Sequence, residues 1–481
     1  MLRGLGWDID SPYSSNRGEL FPIGSYGHTG FTGTSIWIDP STNSYVIFLT
    51  NFVHPKAGKS LTALRSRVAT IAAAEIGVDA PGVSVVGYNE AMEGAGVRRM
   101  ISPNHHVLTG LDVLEQDKFA ALKGKKIGLI TNQTGLDANG RRNVDAMRAD
   151  GVNVTALFSP EHGLAGKEDR PDVADSKDPA TGLPVWSLHY DGRYRLTPEM
   201  THNVDTLVFD IQDAGARFYT YSCTMLYAME EASKAGLPFY VLDRPNPVTG
   251  AHIEGPILDD DLQSFVGCYA MPIRHGLTLG ELATMANGER KLNTDLHIIK
   301  MKNWSRGDWF DSTGLEWVDP SPSMRSLNAA TLYDGLAMIE YAKGYSVGRG
   351  TDAPFEQIGA EWIHGTELAR FLNGRSIPGV RVYPTRFTPN SAPLKDKPLE
   401  GVRFVIVNRE QFSSVRLGLE VAYALSKLYP GKIDFEACRR LIGNRKVIDA
   451  MKSGDDPRAI EQRIDDEMES YEQRRRPYLL Y

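Results

Sequence analysis

An α/β fold is predicted for most of this chain: a parallel sheet covered by helices on both faces, then a smaller C-terminal α/β domain, with a β-rich segment of another kind in front. Three observations predict it. From residue 107 onward, strand-like runs alternate with helix-like runs at the spacing of βαβ units. The strands, "TLVF" among them, are almost continuously apolar, as strands buried on both sides must be. At 481 residues the chain exceeds what one core usually organises, so several domains are expected.

The front segment, 1–78, reads as two strands and a helix. "GHTGFTGTSIWIDP" (27–40) and "SYVIFLTN" (44–51) are rich in β-formers and separated by a Pro-Ser-Thr-Asn turn, and 60–76 has helical spacing. Residues 79–106 serve as a linker. In the middle domain, 107–331, "KKIGLITN" (125–132) is followed by a helix over 141–151 that Gly151 caps. Strands are then expected at 152–163, 205–215 and 238–247, with a helix over 223–236. The last domain, 332–481, contains the rest of a helical stretch that follows the prolines of "PSPSM". It also contains a strand at 399–408, an amphipathic helix over 413–430 and a charged surface helix over 455–475.

Composition narrows the function. With 42% hydrophobic and 23% charged residues the chain is globular, and its net charge of −7 disfavours nucleic acid and anionic membranes as partners. The basic "EQRRRP" (472–477) is a solvated helix end. No run is long and apolar enough to span a membrane, and "MLRGLGWDID" lacks the apolar stretch of a signal peptide. Cys223, Cys268 and Cys438 are far apart and odd in number; buried free thiols are expected, with one bridge as the alternative.

In open parallel sheets, ligands bind beyond the carboxyl ends of the strands. The residues at those ends are Asn132 and Gln133, Glu161 and His162, Asp210, Gln212 and Asp213, and Asp243, Arg244 and Asn246. Each has a bland explanation: Asp210 or Asp213 capping the helix near Tyr219 and Tyr221, Asp243 pairing with Arg244. Together they read as a site. The chain has no G-x-G-x-x-G after "TNQTG" and no P-loop, so no nucleotide cofactor is expected. A hard cation held by Glu161, His162, Asp210, Asp213 and Asp243 is a minority alternative, unsupported by metal-ligand spacing.

Two resemblances follow from specific motifs. "NQTG", "PEHGLAG", "FDIQDAGARFYTY", "DRPNPVTG" with "EGP" (254–256), "MPIRHGLTLGELA", "PSPSM", "GRGTDAPFEQIGA" and the ending "RRRPYLLY" resemble the NamZ-type exo-β-N-acetylmuramidases over residues 108–481. Before "GRGT", "YAKGYSV" departs from that family's usual Glu-Gly-Thr-Asn-hydrophobic-Ser, with Lys343 in place of a carboxylate and Tyr345 in place of a small polar pair. The front segment resembles the C-terminal end of a class C β-lactamase-type serine hydrolase, with His28-Thr29-Gly30 in the position of its sheet-edge box. The Ser-x-x-Lys and Tyr-x-Asn elements of such an enzyme are missing here, so this segment is read as a truncated remnant without acyl-transfer activity.

The first resemblance implies a Rossmann-like domain, a smaller C-terminal domain, and release of N-acetylmuramic acid from the non-reducing ends of peptidoglycan fragments. It also implies a muropeptide or disaccharide as the partner and a periplasmic or extracellular location. Glycoside hydrolysis needs a proton donor and a second group. Glu161 suits the donor, since a carboxylic acid held partly out of water keeps its proton more readily. His162 tunes it or bonds the turn, while Asp210, Asp213 and Glu254 compete for the second role. Arg217, Arg274 or Arg349, with His275, would grip the lactyl carboxylate. Asn132, Gln212, Tyr219, Tyr221, Asn246, Thr351 and Glu356 complete the candidate sugar contacts. The competing classes are a non-catalytic muropeptide-binding protein and a metal-dependent hydrolase using the same carboxylates.

Overall fold

Apolar strands need cover on both faces, and Thr206–Asp210 has it: all five residues are buried. The computed structural model describes residues 2–11, 14–18, 20–22, 24–40, 42–53, 61–76, 106–170, 172–391 and 394–481. It divides into two compact units, one made of Met1–Ile101 with Gly335–Asp434, the other of Ser102–Asp334 with Phe435–Tyr481. Within the segment 332–481, residues 335–434 fall in the first unit and the remainder in the second. The expected linker 79–106 lies, His106 apart, outside the described residues.

In the first unit, β1 (Leu2–Gly4), β2 (Trp7–Asp10), β3 (Tyr26–Thr29), β4 (Ser35–Asp39) and β5 (Ser44–Phe48) form an antiparallel sheet in chain order. The stretch 27–40, expected as one β-rich run, folds back at a turn where Gly30 N donates to Thr34 O at 2.7 Å. His28 therefore sits on an inner strand, between β2 and β4, and not on the sheet edge that its motif suggested. The helix Thr62–Glu75 packs Ala69 and Ala73 against Phe21 and Trp37.

The second unit carries the large sheet: β6 (Lys126–Thr131), β7 (Asn153–Ser159), β8 (Ser176–Lys177), β9 (Pro184–Ser187), β10 (Thr206–Asp210), β11 (Phe239–Leu242) and β12 (Leu296–Ile299). Their order is β12-β11-β10-β6-β7-β9-β8, and every pair is parallel except β8 with β9. The chain winds outward one way from β6 through β7 to β9. It then returns beside β6 and winds the other way through β10, β11 and β12. The crevice where the winding reverses lies between β6 and β10, the usual ligand position in such sheets. The first unit adds a small antiparallel sheet of β13 (Gln357–Ala360), β14 (Val380–Phe387) and β15 (Leu399–Ile406), in the order β13-β15-β14.

Two expectations need correction. Cys223 and Cys268 are joined as a disulfide, their Cα atoms 5.8 Å apart across a sequence separation of 45, and only Cys438 is a buried free thiol. The helix Pro457–Arg475 is not simply a surface element. It buries Ile460, Ile464, Met468, Tyr471 and Arg475, a stripe at helical spacing hidden by the surrounding charges. The Tyr471 hydroxyl donates to His275 O at 3.0 Å and Arg475 Nη1 to Gly276 O at 2.7 Å.

The last residue is tied down as well. Tyr481 donates its hydroxyl to Asp243 Oδ2 at 2.8 Å, where Thr278 Oγ1 also donates, while the Gly280 and Arg244 backbone N–H groups reach Oδ1. Burial pushes the Asp243 carboxyl up to about 6, helped by the like charge of Glu281 and opposed by these hydrogen bonds. The folded protein therefore holds this proton to higher pH than the unfolded chain does, and stability falls as pH rises from about 4 to about 6. From 3.8 to about 6, at about 1.4 kcal/mol per pH unit, the loss is about 3 kcal/mol. Urea unfolding of Asp243→Asn is expected to lack this part of the wild-type slope; parallel slopes would refute the assignment.

Candidate active site

Strand register decides which side chains meet. Ser159 of β7 pairs with Ser187 of β9 in parallel register. Glu161 and His189, each two residues beyond its strand, consequently arrive together, with Glu161 Oε1 3.8 Å from His189 Nε2. Pro160 ends β7, so Glu161 leaves the sheet with its side chain 28% exposed, open enough to meet a ligand. Its other oxygen accepts from Thr220 Oγ1 at 2.6 Å. Thr220 occupies the N-cap position of the helix Tyr221–Ala235 yet makes no capping bond. A residue well suited to cap its helix thus gives its hydroxyl to Glu161.

His162 takes the local-bonding role. Its φ is +72°, a conformation that costs a non-glycine residue about 1–2 kcal/mol. The Nδ1 atom lies 2.7 Å from Glu168 O; a carbonyl only accepts, so Nδ1 carries the proton and the ring braces the loop that carries Glu161. His189 is buried, and burial lowers its pKa against the opposing pull of Glu161, which keeps the imidazole neutral at neutral pH. Neither His189 nor Thr220 was foreseen. The signal for His189 existed, since "PVWSLHYDG" places it at the same offset from its strand as Glu161.

The other carboxylates sort themselves by their partners. Asp210 is fully buried and already satisfied: Arg244 grips it at 2.6 and 3.1 Å and Asn143 Nδ2 donates at 2.7 Å. Both Asp210 oxygens are thus taken by protein donors, and the Arg244 guanidinium pairs here while only its backbone N–H reaches Asp243. Glu254 is ion-paired with Arg274. Asp213 Oδ2 accepts from Gly215 N at 2.9 Å and lies 3.6 Å from His275 Nε2, while Oδ1 is buried without a partner. His275 Nδ1 accepts from Leu277 N, so its proton sits on Nε2, facing Asp213. The same comparison weakens a metal reading, because Asp210 and Asp243 are engaged with protein donors. Among the described residues no group of three or more His, Cys, Asp or Glu is placed to hold an ion.

Gln212 and Asn246 bond backbone carbonyls of neighbouring turns, Pro245 O and Leu277 O. The Asn132 carbonyl oxygen is engaged by Thr134, and its amide nitrogen is buried without a partner. A cavity of about 300 Å³ opens in the β6/β10 crevice, lined by Thr134, Asp137, Gln212, Arg244 and Phe310 among others. Tyr221 is wholly buried and donates to Pro320 O at 2.6 Å, so it is a core aromatic. Tyr219 meets it edge-on at 4.9 Å, and its phenol feels both Asp213 and Glu161 while burial pushes its pKa up.

The arginines proposed for a carboxylate ligand are engaged within the protein. Arg217 is fully buried and donates to four carbonyls, those of Pro256, Met271, Leu441 and Ile442; burial brings its pKa down to about 9. Gly443 permits this clamp: its φ is +72°, and a Cβ there would lie 2.4 Å from Arg217 Nη2. Arg274 is 1% exposed and bonds Val248 O as well as Glu254. In the first unit, Arg349 pairs with Glu340 and covers Phe355. Thr351 closes a turn onto Gly348 O, and Glu356 pairs with Arg403 at 3.1 Å.

Models described as exo-β-N-acetylmuramidase NamZ, N-terminal and C-terminal, match residues 127–328 and 331–481. The peptidoglycan β-N-acetylmuramidase NamZ of Bacillus subtilis (strain 168) is 42% identical over 380 residues, 78% of this chain and 91% of its own length. The chain belongs to the NamZ family. Two solved structures of DUF1343 family proteins from Bacteroides fragilis NCTC 9343 resemble it. One is 35% identical with a TM-score of 0.73, covering 79% of this chain and all of its own; the other is 30% identical with 0.63, covering 78% and 99%. A β-lactamase family model matches residues 2–70, which agrees with the motif reading of the front segment. In this NamZ-family chain, Glu161, His189, Thr220 and Asp213 all lie within the matched N-terminal domain.

Proposed function

We propose that this chain is an exo-acting glycoside hydrolase that releases N-acetylmuramic acid from the non-reducing ends of peptidoglycan fragments during cell-wall turnover. The observation that carries the reading is the 42% identical peptidoglycan β-N-acetylmuramidase, 91% of whose length aligns with this chain. The geometry supports it with a carboxyl of the right kind in the right place: Glu161, partly exposed beyond a parallel strand, oriented by Thr220 and flanked by a neutral imidazole. Glu161 protonates the leaving glycosidic oxygen, and Asp213 is the best remaining candidate for the second group.

An extracytoplasmic location is part of the proposal. Peptidoglycan lies outside the cytoplasm, and the Cys223–Cys268 bond is of the kind that persists in oxidising compartments.

The test is release of nitrophenol from para-nitrophenyl β-N-acetylmuramide with and without EDTA. Turnover that ignores the chelator supports the proposal. Turnover abolished by it favours a metal-dependent hydrolase, and binding without release favours a glycan-binding protein. A site that requires the lactyl group is also expected to turn over the matching N-acetylglucosaminide at least about 100-fold more slowly. Equal rates on the two substrates would refute specificity for muramic acid.

A further inference from the structure

Beside Glu161 the second unit presents an aromatic stack that the hydrolytic chemistry leaves unused. The Tyr194 and Phe265 rings lie face to face, centroids 4.0 Å apart and planes 17° from parallel. His189 touches both, at 5.4 Å from each, and thereby connects the stack to Glu161. Both rings are half-buried, so part of their surface faces solvent. Tyr227 continues the cluster at 6.2 Å from Phe265, with the Arg195 guanidinium over its own ring at 4.2 Å.

The segments that carry the stack are anchored on both sides. Phe265 sits at the tip of a tight turn closed by two bonds, Ser264 N to Gly267 O at 2.8 Å and Gly267 N to Ser264 O at 3.0 Å. The next residue, Cys268, is bonded to Cys223 in the helix Tyr221–Ala235. That helix begins just after Thr220, the residue that holds Glu161. The disulfide thus fixes the turn carrying Phe265 to the element that orients the proton donor. On the other side, Arg193 bonds Ser187 O at the end of β9 and anchors the turn leading to Tyr194. The face of an aromatic ring near a glycosidic acid is a surface on which the apolar face of a pyranose ring stacks.

We infer that Tyr194 and Phe265 form the binding platform for the aglycone sugar, the N-acetylglucosamine-type residue that leaves when the bond to N-acetylmuramic acid is cut. This rests on the proposed glycosidase reading of Glu161. The aglycone is the occupant because an exo-acting site encloses the terminal sugar and leaves the next one at the mouth, where half-exposed rings can meet it.

Phe265→Leu and Tyr194→Leu keep apolar bulk and remove the flat face, and unchanged melting temperatures would show that the fold survives. On the disaccharide N-acetylmuramyl-N-acetylglucosamine each variant is expected to raise KM about tenfold with kcat within about twofold. Methyl β-N-acetylmuramide, whose aglycone has no ring to stack, is spared that rise. Equal effects on both substrates, or an unchanged KM for the disaccharide, would overturn the platform. Should the wild type hydrolyse neither substrate, the glycosidase reading fails and an NMR titration with methyl N-acetyl-β-glucosaminide decides the platform alone. Binding by the wild type that both variants lose upholds it, and wild-type binding that is absent or undiminished in them overturns it.

Discussion

Glu161→Gln is expected to slow turnover of a natural disaccharide by about two to four orders of magnitude, the usual contribution of a positioned proton donor. In barrier height that is about 3–5 kcal/mol. The amide keeps the shape and still accepts the Thr220 hydrogen bond, so folding and substrate affinity should persist. Leaving-group chemistry separates the possible roles. A nitrophenolate departs with little help from a proton, so the variant should recover much of its rate on the aryl glycoside. If Glu161 instead attacked the sugar or activated water, the loss would be severe for both substrates. Near-wild-type rates on both would reduce the Ser-Pro-Glu-His-Gly turn to a polar loop.

Arg244→Ala is expected to cost about 3–5 kcal/mol of stability, because it strands Asp210 as an uncompensated buried charge. Asp210 has no exposed side-chain surface and Arg244 is 8% exposed, so in the folded protein the carboxylate depends on this partner. Asn143 remains as a donor to Asp210 and softens the loss without neutralising the charge. Replacing both residues by alanine should cost less than the sum of the two single changes, since neither charge is then left alone. Urea unfolding of the two single variants and the double measures this directly. A purely catalytic Asp210 would behave differently, with Asp210→Ala abolishing turnover while leaving the unfolding midpoint in place.

The sheet, the polar strand ends and Glu161 were legible in the sequence because they are local: an apolar run, a proline and a polar residue occupy a few consecutive positions. What was illegible is set by partners distant along the chain. Asp210 and Asp213 are three residues apart and look alike, yet Arg244 neutralises the first while His275 faces the second. Arg217 reads as a ligand-binding cation until the carbonyls of Leu441 and Ile442, more than two hundred residues later, are seen to hold it. The Cys223–Cys268 bond is hidden for the same reason. His189 is a different case: its strand is only four residues long, too short to show a pattern, although its position repeats the offset that exposed Glu161.

The most direct test of the central claim is product analysis on the disaccharide N-acetylmuramyl-N-acetylglucosamine and on longer peptidoglycan fragments, by liquid chromatography with mass detection. Free N-acetylmuramic acid and N-acetylglucosamine are expected in equal amounts from the disaccharide. From longer fragments, single N-acetylmuramic acid residues are expected to be lost from the non-reducing end, with Glu161→Gln nearly silent on both. Internal cleavage of the fragments, or no release of N-acetylmuramic acid by the wild-type protein, would contradict the claim.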